Sequence, residues 1–453
     1  MYQSVNPATG EFIAEYPQHS DAEMNQIIEQ SNQAWAGWKK TSFTERRTLL
    51  LNLARLFEEQ AETLGKVVTQ EMGKIYSEAV AEVKKSGTIC EYYANQGEEM
   101  LADEVIEAGF GRSYTRYEPM GIVLAVMPWN FPFWQAIRFI APNLMGGNAC
   151  LLKHAPNVFG CALEIKRVVE EAGFPKHLFD CLLIEPSQVA LALEDPKVKA
   201  VTLTGSEGAG MAVAQKAGKE LKKAVMELGG SDPFIVLDDA DLDRCCQTSV
   251  KARCYNAGQV CISAKRMIVV ESQYDAFVKR HQQIMEELNI GDPMLAQTDM
   301  GPMARADLRD ELHRQVQRSL SEGARLVTGG HLIDGPGNFY APTLLADVTP
   351  EMTCFTEELF GPVSCVIKAK DTEEAIKLAN QSPYGLGASI WSQDVAKAEQ
   401  LAHQIESGLV FVNGMTTSHP ALPFGGVKRS GFGRECSHHG IREFQQVKTV
   451  VIS

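Results

Sequence analysis

The thiol of Cys261 follows Asn256-Ala257-Gly258-Gln259-Val260, a turn with a glycine in it, whereas Cys90, Cys161, Cys245 and Cys246 fall within helical patterns. An unperturbed thiol of pKa about 8.5 is only a few per cent thiolate at neutral pH, so a nucleophile here needs a base or a helix N-terminus beside it. Taken alone, a cysteine is more often structural than reactive. Glu227 follows the strand-like Lys223 to Met226 and precedes Leu228-Gly229-Gly230. A carboxylate there can pivot into a cleft as a general base, or simply end a strand at the surface. Trp129-Asn130-Phe131-Pro132 stands between a strand and a helix. The Asn130 N–H suits an oxyanion, and an Asn shortly before Pro equally suits a helix cap.

Gly205-Ser206-Glu207-Gly208-Ala209-Gly210 also joins a strand to a helix, where backbone N–H groups and the helix dipole suit a phosphate. Its glycines fall at the first, fourth and sixth places, so the usual dinucleotide fingerprint, with glycines first, third and sixth, is not met. Lys153 ends a strand and either meets a ribose or phosphate or points into solvent.

The elements that must position these groups follow from periodicity. Leu49, Leu50, Leu53, Leu56 and Phe57 recur at helical spacing, and the first hundred residues read as helices over Asp21 to Gln33, Thr44 to Leu64 and Ser77 to Met100 after a turn-rich start. Ser113 to Glu118 alternates as an isolated short strand. Apolar runs at Ile122 to Val126, Ala149 to Lys153, Val201 to Leu203 and Phe234 to Leu237 alternate with helical segments, which predicts a buried parallel sheet. A second alternating series from Met267 to Val412 predicts a second α/β domain, with the boundary near Gly229-Gly230.

The chain's 453 residues suggest two or three closely packed domains. With 45% hydrophobic and 22% charged residues it is a folded globular protein, and a net charge of −14 without basic blocks argues against a nucleic-acid surface. No apolar stretch approaches the roughly 18 residues that cross a bilayer. The start shows no secretory signal pattern, and a cytosolic location is the expectation. Eleven cysteines without a C-x-x-C pair read as reduced thiols, so neither disulfides nor a metal are expected.

Together these residues resemble the aldehyde dehydrogenase superfamily. The match runs in order through Asn6-Pro7-Ala8-Thr9-Gly10, Glu71-Met72-Gly73-Lys74, Pro128 to Pro132, Glu227 to Gly230, Gly258 to Cys261, Glu357 to Pro362 and Pro423 to Gly426. Leu152-Lys153-His154-Ala155 and Lys428-Arg429-Ser430-Gly431 are similar to bacterial succinate-semialdehyde dehydrogenases. The resemblance implies an α/β fold with two Rossmann-like domains and a small β oligomerisation element. The nucleotide-binding domain would be residues 1–102 and 121–229, the catalytic domain 230–440, and the oligomerisation element 103–120 with 441–453. A homodimer or homotetramer is expected, with no membrane or nucleic-acid partner.

The resemblance further implies that Cys261 attacks an aldehyde, that Asn130 and the Cys261 N–H hold the oxyanion, that Glu227 activates water, and that Glu435 assists proton transfer. Pro128, Trp129, Asn130, Lys153, His154, Ala155, Pro156, Gly205, Ser206, Leu228, Glu358 and Phe360 would form the NAD or NADP site. Pro156 stands where NAD-preferring relatives often carry Glu and some NADP users a small hydroxyl residue, and the reading leans to NAD. For the substrate, Arg138 is the expected anchor of a distal carboxylate, with Trp134 one turn earlier and Ser418 and His419 in support. The competing reading of Arg138 is a surface ion pair. A second arginine found in some relatives is replaced by Tyr255, so only one cationic anchor is expected. Succinate semialdehyde is the leading substrate, with glutarate semialdehyde or a general aldehyde as the alternative.

Overall fold

The computed structural model describes all 453 residues. Two parallel sheets organise it. In the first, the strand order is Gly431–Phe432, Lys223–Glu227, Val198–Thr204, Ile122–Met127, Ala149–His154 and Phe179–Cys181. All neighbours are parallel except the short Gly431–Phe432, which runs antiparallel to Lys223–Glu227. Every residue of Ala149–His154 is buried, as expected of a continuous apolar run covered on both faces by helices. The second sheet has seven strands, with Ala264–Val270 between Val363–Ala369 and Asp232–Val236, all parallel.

The predicted helices form, with local reasons visible at their ends. Asp21–Trp38 and Phe43–Glu59 each open on a capping box, Ser20 with Glu23 and Ser42 with Glu45. The single helix expected over Thr44 to Leu64 is two, Phe43–Glu59 and Ala61–Met72. Gln60 leaves helical geometry between them, and its side chain donates to Glu171 and accepts from Arg167 on another helix. The turn-rich start is a hairpin, Tyr2–Val5 against Phe12–Tyr16.

The segment near Ser113 and the C-terminal strand pair with each other along Arg112–Pro119 and Gln445–Ile452, and Glu104–Val105 completes a three-stranded antiparallel sheet. The expected limit of the second domain at residue 440 does not follow the packing. Gly431–Phe432 extends the first sheet, and Phe424, Cys436 and Ile441 belong to the first domain's apolar core. The chain therefore returns from the second sheet, whose last strand is Leu409–Val412, to finish the first domain. No helix is long and apolar enough to cross a membrane.

Candidate active site

Cys261 is half-buried, and the other ten cysteines are buried. The loop that carries it is held in an unusual shape. After helix Leu242–Cys254, Asn256, Ala257 and Gly258 all adopt left-handed φ of 53°, 51° and 72°, which for Ala257 is strained and persists only where the surroundings enforce it. A Cβ on Gly258 would lie 2.3 Å from the Gly361 carbonyl, so glycine is required there twice over.

The enforcement comes from buried polar side chains. Arg253 donates to the carbonyls of Gly258 (2.6 Å), Leu359 (3.2 Å) and Gly361, tying the cysteine loop to the segment that carries Glu358 and Phe360. Gln259 donates through Nε2 to the Asn256 carbonyl and accepts through Oε1 from the Ala304 amide. Lys265 donates to the carbonyls of Val260 (3.0 Å) and Cys261 (2.7 Å), and its ammonium lies 3.1 Å from Glu358. Burial pushes the Cys261 thiol up to about 12, and the nearby charges of Lys265 and Arg138 oppose that rise.

Asn130 is drawn into this network: its side-chain amide donates to the Gln259 carbonyl at 3.0 Å, and Asn256 donates to the Asn130 carbonyl at 2.9 Å. The alternative reading of Asn130 as a helix cap does not hold. Helix Pro132–Met145 is capped by Glu82, whose Oε1 accepts from the amides of Phe133 and Trp134 at 2.9 and 3.1 Å.

Two cavities meet at Cys261. One, of about 240 Å³, is lined by Pro128, Trp129, Asn130, Thr204, Gly205, Ser206, Leu228, Gly229, Glu358 and Phe360. Seven of the expected dinucleotide residues between Pro128 and Leu228 or on the Glu358–Phe360 segment thus gather around one space, together with Asn130. Ser206 caps helix Glu207–Lys219 by accepting from the Ala209 amide, and the buried Thr204 hydroxyl has no partner. Gly210, last of the loop's glycines, is needed for packing, since a Cβ there would be 2.4 Å from Leu228. Glu358 accepts from the Gly230 amide, and Phe360 meets Trp129 edge to face at 5.8 Å. These donors, a helix start and an apolar wall suit a nicotinamide dinucleotide.

Lys153, His154, Ala155 and Pro156 do not line this space. Lys153 is buried at its strand's end, with its pKa lowered by burial. His154 is corrected to a structural role. It is fully buried and neutral, its Nδ1 accepting from the Ala155 amide and its Nε2 facing the Pro132 carbonyl, with burial bringing its pKa down to about 4. Pro156 opens the turn Pro156–Val158 and faces a separate surface cavity.

The second cavity, of about 310 Å³, is lined by Cys261, Phe131, Tyr255, Phe424, Trp134, Arg138, Lys85 and Ser418 among others. Tyr255 stacks on Phe131 at 5.9 Å. Arg138 lines the cavity and also forms an ion pair of 2.5 Å with Glu435, which is buried and not at the surface. His419 is corrected: it is exposed, accepts from the Ala421 amide, and is absent from the cavity. Lys85, Gln135, Thr416 and Lys265 were not singled out from sequence. Lys85 and Lys265 carried no motif, and Gln135 lies on the helix already marked by Arg138.

Glu227 is not a surface acid. It is buried, and neither carboxylate oxygen has a hydrogen-bond partner. Burial first, and then the neighbouring Glu435, hold its pKa well above the carboxylate range, against the pull of Arg138. It lines neither cavity, its carboxylate instead facing Gly425, where a Cβ would stand 2.7 Å from Oε1.

A half-buried cysteine on a firmly held loop, two cavities that meet at it and a buried carboxylate with a raised pKa are the features of the site. Residues 1–450 match the model of the aldehyde dehydrogenase family, and the chain belongs to that family. It is 48% identical over 453 residues to a succinate-semialdehyde dehydrogenase [NADP(+)] of Mycolicibacterium paratuberculosis, covering 99% of this chain and 96% of that one. It is 45% identical to a probable succinate-semialdehyde dehydrogenase [NADP(+)] of Synechocystis sp., covering 99% of both. The crystal structure of succinic semialdehyde dehydrogenase from Streptococcus pyogenes with NADP+ superposes with a TM-score of 0.98 at 38% identity over the full length of both chains. The lean to NAD finds no support here, since both curated relatives are named for NADP(+) and the streptococcal structure holds NADP+.

Proposed function

We propose that the protein oxidises succinate semialdehyde, or a close carboxylated analogue, to the acid with NADP+. The observation that carries this reading is the junction of the two cavities at Cys261, one lined by Ser206, Glu358 and Phe360 and the other by the cations Lys85, Arg138 and Lys251.

The Cys261 sulfur attacks the aldehyde carbon as its thiol proton passes to water, leaving the former carbonyl oxygen as an anion. The Asn130 side chain spends one N–H on Gln259 and offers the other, beside the Cys261 backbone N–H, to the developing oxyanion. The dinucleotide, when bound, supplies the acceptor for the hydride of the aldehyde carbon. The acyl group is then a thioester on Cys261. Glu227 takes a proton from the attacking water, a role its raised pKa suits. It reaches the thioester by rotating away from Gly425, a motion that breaks no hydrogen bond of its carboxylate. Glu435, beside it, relays the proton outward. Lys153, a buried cation at the end of the strand Ala149–His154, is the group to meet a dinucleotide phosphate, and Pro156 offers no carboxylate to repel one.

The sheet of Glu104–Val105, Arg112–Pro119 and Gln445–Ile452 exposes Val105, Val447, Val451 and Ile452, apolar edges suited to another copy of the chain in a homodimer or homotetramer. A cytosolic location agrees with this reading.

The test is initial rates with succinate semialdehyde and with butanal, each with NADP+ and NAD+. A kcat/KM advantage of about a hundredfold for the semialdehyde, roughly 2.7 kcal/mol, together with faster reduction of NADP+, supports the assignment. Parity between the aldehydes makes the enzyme a general aldehyde dehydrogenase.

A further inference from the structure

Three cations line the substrate cavity: Arg138, Lys85 and Lys251. They are not equivalent. Arg138 is already paired with Glu435 at 2.5 Å, and its guanidinium lies over the Phe424 ring at 4.4 Å. Lys251 is exposed, where water and salt screen its charge. Lys85 is half-buried on helix Tyr76–Met100, and it takes part in none of the molecule's ion pairs. The one carboxylate a turn away, Glu82, is committed to the buried Lys74 ammonium and to the amides of Phe133 and Trp134.

Lys85 is nonetheless held in place. Its ammonium sits 4.3 Å above the Trp134 ring, and the buried indole Nε1–H of the same side chain has no hydrogen-bond partner. A half-buried ammonium without a counter-ion on the wall of the cavity is a site that lacks an anion. We propose that Lys85, held over the Trp134 ring, binds the distal carboxylate of the substrate and selects acidic aldehydes, whereas Arg138 acts mainly by orienting Glu435. This rests on the carboxylated-substrate reading above and names the group that enforces it. It also replaces the second arginine missing at Tyr255 with a cation from a different helix.

The experiment compares the wild-type enzyme with Lys85→Met and Lys85→Arg, using succinate semialdehyde and butanal at saturating NADP+, with Tm as a folding control. Lys85→Met should raise KM for the semialdehyde roughly 10- to 100-fold. Its kcat, and KM for butanal, should stay within about twofold, and Lys85→Arg should recover most of the loss. If Lys85→Met fails to fold, Lys85→Gln carries the same expectation. An unchanged KM for the semialdehyde, or equal KM rises for both aldehydes, overturns the role of Lys85 while a wild-type preference for the semialdehyde still stands. Parity in the wild-type enzyme overturns the carboxylated-substrate reading itself.

Discussion

The two sides of Cys261 are built on opposite principles. On the loop side, Arg253, Gln259, Asn256 and Lys265 bond the backbone of the Asn256–Cys261 turn and of the neighbouring Leu359–Gly361 segment, so the nucleophile is fixed before any ligand arrives. On the substrate side, the Trp134 indole, the Arg138 Nε and Lys85 lack partners. The cysteine loop is held through its backbone, although Asn256 Oδ1 and Arg253 Nε stay unpartnered, whereas the other cavity presents an ammonium without a counter-ion. Damage to the loop should therefore harm every substrate alike, and damage to the far end should discriminate between substrates.

The largest effect expected is from Cys261→Ala. Aldehyde oxidation should fall by at least about a thousandfold, while NADP+ binding, followed by quenching of protein fluorescence, should persist. A fully active variant would remove Cys261 from the mechanism. Gly258→Ala tests the rigid side without touching a reacting group. Its Cβ would press on the Gly361 carbonyl in a backbone conformation that costs alanine about 1–3 kcal/mol. A displaced nucleophile should lower kcat roughly a hundredfold, equally for butanal and the semialdehyde. A selective loss with one aldehyde would contradict the division drawn here.

Arg138→Ala probes the seam between the two sides. The sequence alone suggests a KM rise far larger for carboxylated aldehydes than for neutral ones. The buried pair with Glu435 changes that expectation, because the variant leaves a carboxylate without its counter-charge at a cost of about 3–5 kcal/mol. Thermal unfolding should show a lower Tm, and kcat should drop with butanal as well as with the semialdehyde. Arg138→Ala combined with Glu435→Gln should recover much of the Tm.

What was legible in the sequence was whatever chemistry lies in short contiguous motifs. Asn130, Glu227, Cys261 and Glu358 each stand in a stretch whose neighbours shape the local backbone. The alternation of strands and helices was legible too, because fully buried strands such as Ala149–His154 are apolar throughout. The rest depends on which distant elements meet. Lys85 lies on a helix whose polar residues look like a solvated face, and only the packing of Tyr76–Met100 on Pro132–Met145 turns it toward the cavity. His154 sits beside a plausible phosphate-binding lysine, yet alternation along a buried strand aims it inward. The return of the chain to the first sheet at Gly431–Phe432 carries no local signal, since two residues suffice to pair.

The subtlest expected difference between the two sides is in their response to pH. Burial and the nearby Arg138 bring Lys85 down to about 8, with Lys74 acting in the same direction and Glu82 and Cys436 opposing. A lysine holds its charge below its pKa and loses it above, so recognition of a carboxylate should be complete near pH 7 and fade as pH rises through about 8. Arg138 stays charged across this range, because Glu435 and the other acidic groups around it hold its pKa up against burial. Ionisation of Cys261 and Glu227 affects both aldehydes, so their pH dependence cancels in the ratio of the two kcat/KM values. That ratio, semialdehyde over butanal, should fall roughly tenfold between pH 7 and 9, and in Lys85→Arg, whose guanidinium does not titrate there, it should stay flat. A ratio that is flat in the wild-type enzyme would mean that recognition rests on a group that keeps its charge, returning Arg138 to the role of principal anchor.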